Sequence, residues 1–253
     1  MLQETSVEFV TVMALIFARL GAAFSQFPGI SAPYIFMRAR LMLALAVCVV
    51  LYPILKDVMP HKLHLNSGAF LSALVIEVLI GIAIAISARI CFMAIDIVGN
   101  IMSMQSGLSA AMFFDPIHNS QVTVMSSFLA VVAYAAIFIT DTHYVFIQGF
   151  MDSYEAFPVG NMPDLGDLSN FVSSAVNQSF ILAFKLASPF IAVSFGFLIS
   201  NGVLARLMPN LQVFFVVTPV QIYVIFGVLF IVINIMLSKL MESIRAAAIM
   251  MPF

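Results

Sequence analysis

Six charged residues stand where a charge is costly. Arg19, Glu77, Arg89, Asp96, Lys185 and Arg206 each fall within, or at the end of, a long apolar run. An ionised side chain at the centre of a bilayer costs about 2.5–3.5 kcal/mol on insertion scales, so such groups face protein or water and have partners. Two chemistries fit them. Glu77, Asp96 and Lys185 could relay protons in a proton-coupled membrane transporter. Alternatively, all six are buried polar contacts that hold helices and subunits in register. Arg89 and Asp96 are seven residues apart, which puts them on one helix face two turns apart, suited to flanking a single partner helix. Near Glu77, Gly81, Ala85 and Ala88 add a small-residue surface suited to close packing. Transporters often show repeated halves with matched broken helices, and the two halves of this sequence show no convincing match.

Other chemistry is poorly supplied. His61 and His64 lie three apart in "PHKLHLN", but no nearby carboxylate completes a metal site, and His118 and His143 are separate. Cys48 and Cys91 both sit in apolar runs and read as small buried hydrophobes. There is no phosphate-binding glycine motif and no Ser or Cys nucleophile with an obvious base. The reading is therefore a non-enzymatic chain with no metal and no cofactor. A net charge of −2 gives no basic footprint for nucleic acid.

The elements that must position these residues are hydrophobic to an unusual degree. Of 253 residues, 63% are hydrophobic and only 9% charged, where a soluble domain carries roughly a quarter charged residues. Ten basic and twelve acidic side chains cannot clothe a chain of this length, so lipid or apolar protein must cover much of it. The N-terminus opens "MLQETSVEF", acidic rather than basic, so no cleavable signal peptide is expected. Trp is absent, which leaves six Tyr for an interfacial belt.

The fold class this predicts is all-α: a multi-helix integral membrane-class protein with long, proline-kinked helices. Six apolar segments run over about 9–26, 39–55, 68–98, 122–140, 171–206 and 211–238. As helices, 68–98 and 171–206 would reach about 46 and 54 Å, against a hydrocarbon core about 30 Å thick. They must tilt, kink or run partly outside lipid. Pro189 in "LASPFIAVSF" and Pro219 in "VVTPVQIYV" supply kinks, since each removes a backbone donor. Asp141–Asn170 is acidic and lacks Lys and Arg, and it reads as the one solvated loop. Alternating crossings would place Lys56, Lys62, Lys239 and Arg245 on one side and Arg38, Arg40 and Arg206 on the other, which gives no orientation.

Between two of the most apolar runs lies "QSGLSAAMFFDPIHN", Gln105 to Asn119. Gly107 loosens its start, and Asp115-Pro116 disfavours helix and marks a turn. Met112, Phe113 and Phe114 bring deformable and bulky apolar groups. In a pore these suit a constriction that excludes water and parts for cargo; the other reading is a re-entrant turn whose phenylalanines pack into the core.

Three blocks resemble the FliR family of flagellar type III export-gate subunits, related to the equivalent subunit of virulence-type secretion systems. "RLGAAFSQFPGISAPYIFMRARLMLALAVCVVLYP" carries Arg19, Pro28, Pro33, Arg38 and Pro53. "EVLIGIAIAISARICFMAIDIVGNIMSMQSGLSAAMFFDP" carries Glu77, Gly81, Gly99, Gln105, Gly107 and Asp115-Pro116. "LASPFIAVSFGFLISNGVLARLMPNLQVFFVVTP" carries Pro189, Asn201, Arg206, Pro209 and Pro219.

The resemblance implies a non-enzymatic subunit of a protein-export channel in the bacterial inner membrane, within the flagellar basal body. Its partners would be FliP-type and FliQ-type subunits, an FlhB-type switch subunit at the cytoplasmic end, unfolded secreted flagellar proteins and membrane lipid. The fold would resemble a FliP–FliQ fusion, with about 1–170 FliP-like and about 171–253 a FliQ-like helical hairpin. Part of the assembly would stand above the bilayer on the periplasmic side. The family's plug loop would correspond to about residues 106–119, with Gln105, Gly107, Met112, Phe113, Phe114, Asp115 and Pro116 as its residues. Phe113 matches an aromatic position of the family; Ala110 replaces an aromatic often seen three residues earlier, while Phe114 follows directly.

Overall fold

A computed structural model of the chain describes residues 2–31, 35–56, 59, 67–108, 123–162, 164–208 and 213–250. Seven α-helices and no strand occur among the described residues: α1 (Leu2–Gln26), α2 (Met37–Leu55), α3 (Ser67–Ser106), α4 (Val124–Ile139), α5 (Thr142–Ala156), α6 (Leu165–Leu207) and α7 (Val213–Met250). The all-α expectation holds. At 1.5 Å per residue, α3, α6 and α7 extend about 60, 65 and 57 Å, longer than the apolar runs alone suggested. Both α6 and α7 continue as helix through Pro189 and Pro219, and α2 carries Pro53 in its last turn.

One expectation is corrected. Asp141–Asn170 is not a loop: α5 and the start of α6 occupy most of it. Its acidic residues hid a helical period, in which Phe150 and Tyr154 lie four apart on a buried face with Ser153. Asp141 makes the turn into α5 with φ 54°, a left-handed conformation that Asp tolerates better than most side chains.

The chain forms two compact units. One draws on Met1–Cys91, Thr140–Val176 and Ile244–Phe253. Its core is a seam of Val12, Ile16 and Leu20 on α1 against Ala44, Cys48, Leu51 and Leu55 on α2, joined by Ile80, Ile84, Phe150 and Tyr154. The three-and-four spacing along each helix makes each apolar stripe continuous. The other unit draws on Phe92–Ile139 and Asn177–Ser243. In it Ile95, Val98 and Met102 of α3 and Met125, Leu129 and Ala133 of α4 are buried. Phe92 and Tyr134 add a ring contact at 5.5 Å.

Each unit leaves much apolar surface uncovered. Phe230 is 83% exposed and Ile231 73%, both on α7, and Leu198 and Ile199 on α6 are similarly bare. Five described helices are long and apolar enough to cross a membrane, within Glu8–Gln26, Met37–Leu55, Gly68–Ser106, Gly166–Leu207 and Val216–Ala246. Contiguous apolar faces of this extent need lipid or another protein against them.

Candidate functional site

Arg19, on α1, has no exposure at all, and neither does Glu77 on α3. The guanidinium meets the carboxylate as a fork, Nε to Oε2 at 2.5 Å and Nη2 to Oε1 at 2.9 Å. Its remaining N–H groups go to α5 and the residue beyond it: Nη1 to the Ser153 carbonyl (3.0 Å) and Oγ (3.1 Å), and Nη2 to the Phe157 carbonyl (3.0 Å). All five donors of the planar fork are used. The Tyr154 ring lies 3.8 Å from the guanidinium carbon, a cation–π contact in a desolvated place.

This arrangement is a latch. It ties α1, α3 and the end of α5 through one cation, and the carboxylate meets that cation with both oxygens. A carboxylate held on both oxygens and shut away from water is poorly placed to exchange protons. Gly81, one turn after Glu77, lets α3 come close enough: a Cβ there would meet the Arg19 carbonyl oxygen and lie 2.9 Å from the Ala22 methyl.

The other expected polar contacts are less enclosed. Arg89, Asp96, Lys185 and Arg206 are all exposed on the single chain. Arg89 donates to the Gln26 side-chain oxygen on α1 at 2.8 Å, whereas Asp96 accepts from the Ser126 hydroxyl on α4 at 3.2 Å. Within the single chain these two bonds go to different helices, α1 and α4. Arg206 sits in the last turn of α6, where a cation complements the helix dipole.

The connector's plug residues divide at the edge of the described chain. Gln105 and Gly107 are described; Met112, Phe113, Phe114, Asp115 and Pro116 lie outside the described residues, as does His118. Gly107 has φ +77°, the left-handed geometry that ends a helix after its last turn. On the far side Thr123 caps α4: its hydroxyl accepts from the Ser126 N–H at 3.2 Å and donates to the Asn100 side-chain oxygen at 3.1 Å. Thr123→Val is expected to remove both bonds and to destabilise the chain by about 1 kcal/mol, the usual cost of a lost N-cap, read as a lower thermal midpoint in detergent.

Sequence reasoning missed Ser153, Tyr154 and Phe157, because they lie in the stretch taken for loop, and it missed Asn100, Thr123 and Ser126. The signal for the latter was available: Asp96 and Asn100 are four apart on α3, opposite a Thr and a Ser three apart at the cap and first turn of α4.

The model of the family described as bacterial export proteins, family 1, matches residues 10–247. The flagellar biosynthetic protein FliR of Caulobacter vibrioides is 33% identical over 213 residues, covering 84% of this chain and 84% of that relative. The FliR of Bacillus subtilis is 25% identical over 249 residues, covering 94% and 95%. That of Escherichia coli is 26% identical over 227 residues, covering 88% and 86%.

Proposed function

Because this chain belongs to the FliR family of bacterial export proteins, we propose that it is a non-enzymatic subunit of the flagellar export apparatus in the bacterial inner membrane. It helps form and seal the pore through which unfolded flagellar proteins leave the cell. The observation that carries the reading is the family match over nearly the whole chain. The bare apolar faces of α6 and α7 support it, since they suit FliP-type and FliQ-type sister subunits as well as lipid. About 1–170 would be the FliP-like part and about 171–253, containing the α6–α7 pair, the FliQ-like hairpin. Arg89, Asp96, Lys185 and Arg206, exposed on the single chain, would find cover at subunit contacts, and an FlhB-type subunit would wrap the cytoplasmic end. The family assignment lends no support to an autonomous transporter working through Glu77, Asp96 and Lys185.

In this reading residues 106–119 are the plug, with Met112, Phe113 and Phe114 closing the pore by excluding water. Deleting 106–119 is expected to raise passive ion conductance severalfold in membranes holding the assembled complex, with co-purification of the FliP-type and FliQ-type subunits preserved. Unchanged conductance in an intact complex would remove the plug. A lone stable monomer by native mass measurement would remove the assembly.

A further inference from the structure

The end of α3 leaves backbone carbonyls with no helical donor, as every helix end does. In a chain surrounded by apolar material such groups must be satisfied by protein. The Ser103 carbonyl accepts from the Ser106 hydroxyl at 3.0 Å, and the Met104 carbonyl from the Gly107 N–H at 3.3 Å. The Gln105 carbonyl is served from elsewhere: its donor is the side-chain Nε2 of Gln221, 116 residues away on α7. Thr218, one turn before Gln221, sets its methyl 3.4 Å from where a Cβ on Gly107 would stand. One face of α7 therefore meets the end of α3 through the hydrogen bond at Gln105, with the Thr218 methyl beside Gly107 just after it.

We infer that Gln221 is a positioning residue: its amide caps α3 from α7 and fixes the point and direction at which the connector departs. Gln221 is a polar amide two residues after Pro219, in an otherwise apolar run, and among the described residues its Nε2 goes to the Gln105 carbonyl. The inference rests on the plug reading only for its consequence in the pore; the cap itself is independent of it. A helix end whose carbonyl has lost its donor frays, so the connector's root would wander and the seal would loosen.

The experiment uses the full chain assembled with its partner subunits and compares Gln221→Met with Gln221→His. Methionine keeps the length and removes the donor; histidine keeps an N–H at similar reach. Each is combined with Leu108→Cys, and thiol labelling is followed against the slow background of buried Cys48 and Cys91. Gln221→Met is expected to raise Leu108→Cys labelling about tenfold, the order expected when a part-buried carbonyl loses a hydrogen-bond donor, and Gln221→His to restore the parental rate. Ion conductance should follow the same order. Equal labelling in parent and Gln221→Met overturns the cap, and so does fast labelling in both variants, which would mean that bulk rather than the donor matters. If labelling follows the expected order while deletion of 106–119 leaves conductance unchanged, the cap stands and the plug falls.

Discussion

Glu77→Ala is expected to cost about 3–5 kcal/mol, because it strands Arg19 as an unpaired charge with no access to water. A folded domain commonly has only about 5–15 kcal/mol to lose. The mutant chain should therefore accumulate poorly and yield little assembled complex after mild detergent extraction. The loss would come from the uncompensated cation and not from the pair's own strength. Buried ion pairs often contribute little net stability over well-packed apolar groups, since desolvation offsets their attraction. The double variant Arg19→Met/Glu77→Met should accordingly retain more complex than Glu77→Ala alone, although the Ser153 and Phe157 carbonyls would lose donors. Thermal midpoints of the three chains, measured side by side, check the order. A Glu77→Ala chain as stable as the parent would show that the latch does not hold the fold.

Gly81→Ala and Gly99→Ala are expected to be nearly as damaging, for a different reason. In an open helix Gly→Ala stabilises by about 1 kcal/mol, through reduced chain entropy and better propensity. At Gly99 the added methyl would run into the Ser126 Cα and lie 2.7 Å from its backbone nitrogen. At Gly81 it would collide with the Arg19 carbonyl. Both obstacles are backbone, which cannot rotate aside, so a whole helix must shift. Overpacking of this kind typically costs about 1–3 kcal/mol, and more where nothing flexible yields. The internal control is Gly227, where nothing lies within 4 Å of a new Cβ. Gly227→Ala should leave the thermal midpoint of the single chain in detergent unchanged or raised, while the other two lower it. Equal midpoints across the three would refute the close approaches.

Both results turn on features that were unevenly visible in the sequence. The helical class followed from composition; four of the six apolar runs fall within α1, α2, α3 and α6, and the runs 122–140 and 211–238 overlap α4 and α7 with ends that differ. The small-residue surface around Gly81, Ala85 and Ala88 was legible because only close packing explains such a cluster beside a buried acid. Arg19 and Glu77 were each recognisable as buried polar groups, but not as partners, since nothing local links positions 58 apart. Two of the five acceptors in the latch are main-chain carbonyls, at Ser153 and Phe157, and a carbonyl has no sequence signature. The same holds for the Gln105 carbonyl that Gln221 serves. A charge in an apolar run also does not reveal which way it faces, which is why Arg89, Asp96, Lys185 and Arg206 proved exposed on the single chain. The polar count over Asp141–Asn170 outweighed its helical period and hid α5.

The latch also imposes a schedule on synthesis. Glu77 follows Arg19 by 58 residues, and Ser153 and Phe157 follow it by 134 and 138. At about 5–20 residues per second, the ribosome needs roughly 7–28 seconds after making Arg19 before its last acceptors exist. Through that interval Arg19 lacks its acceptors at Ser153 and Phe157, and the latch can close only after a segment made more than halfway through translation.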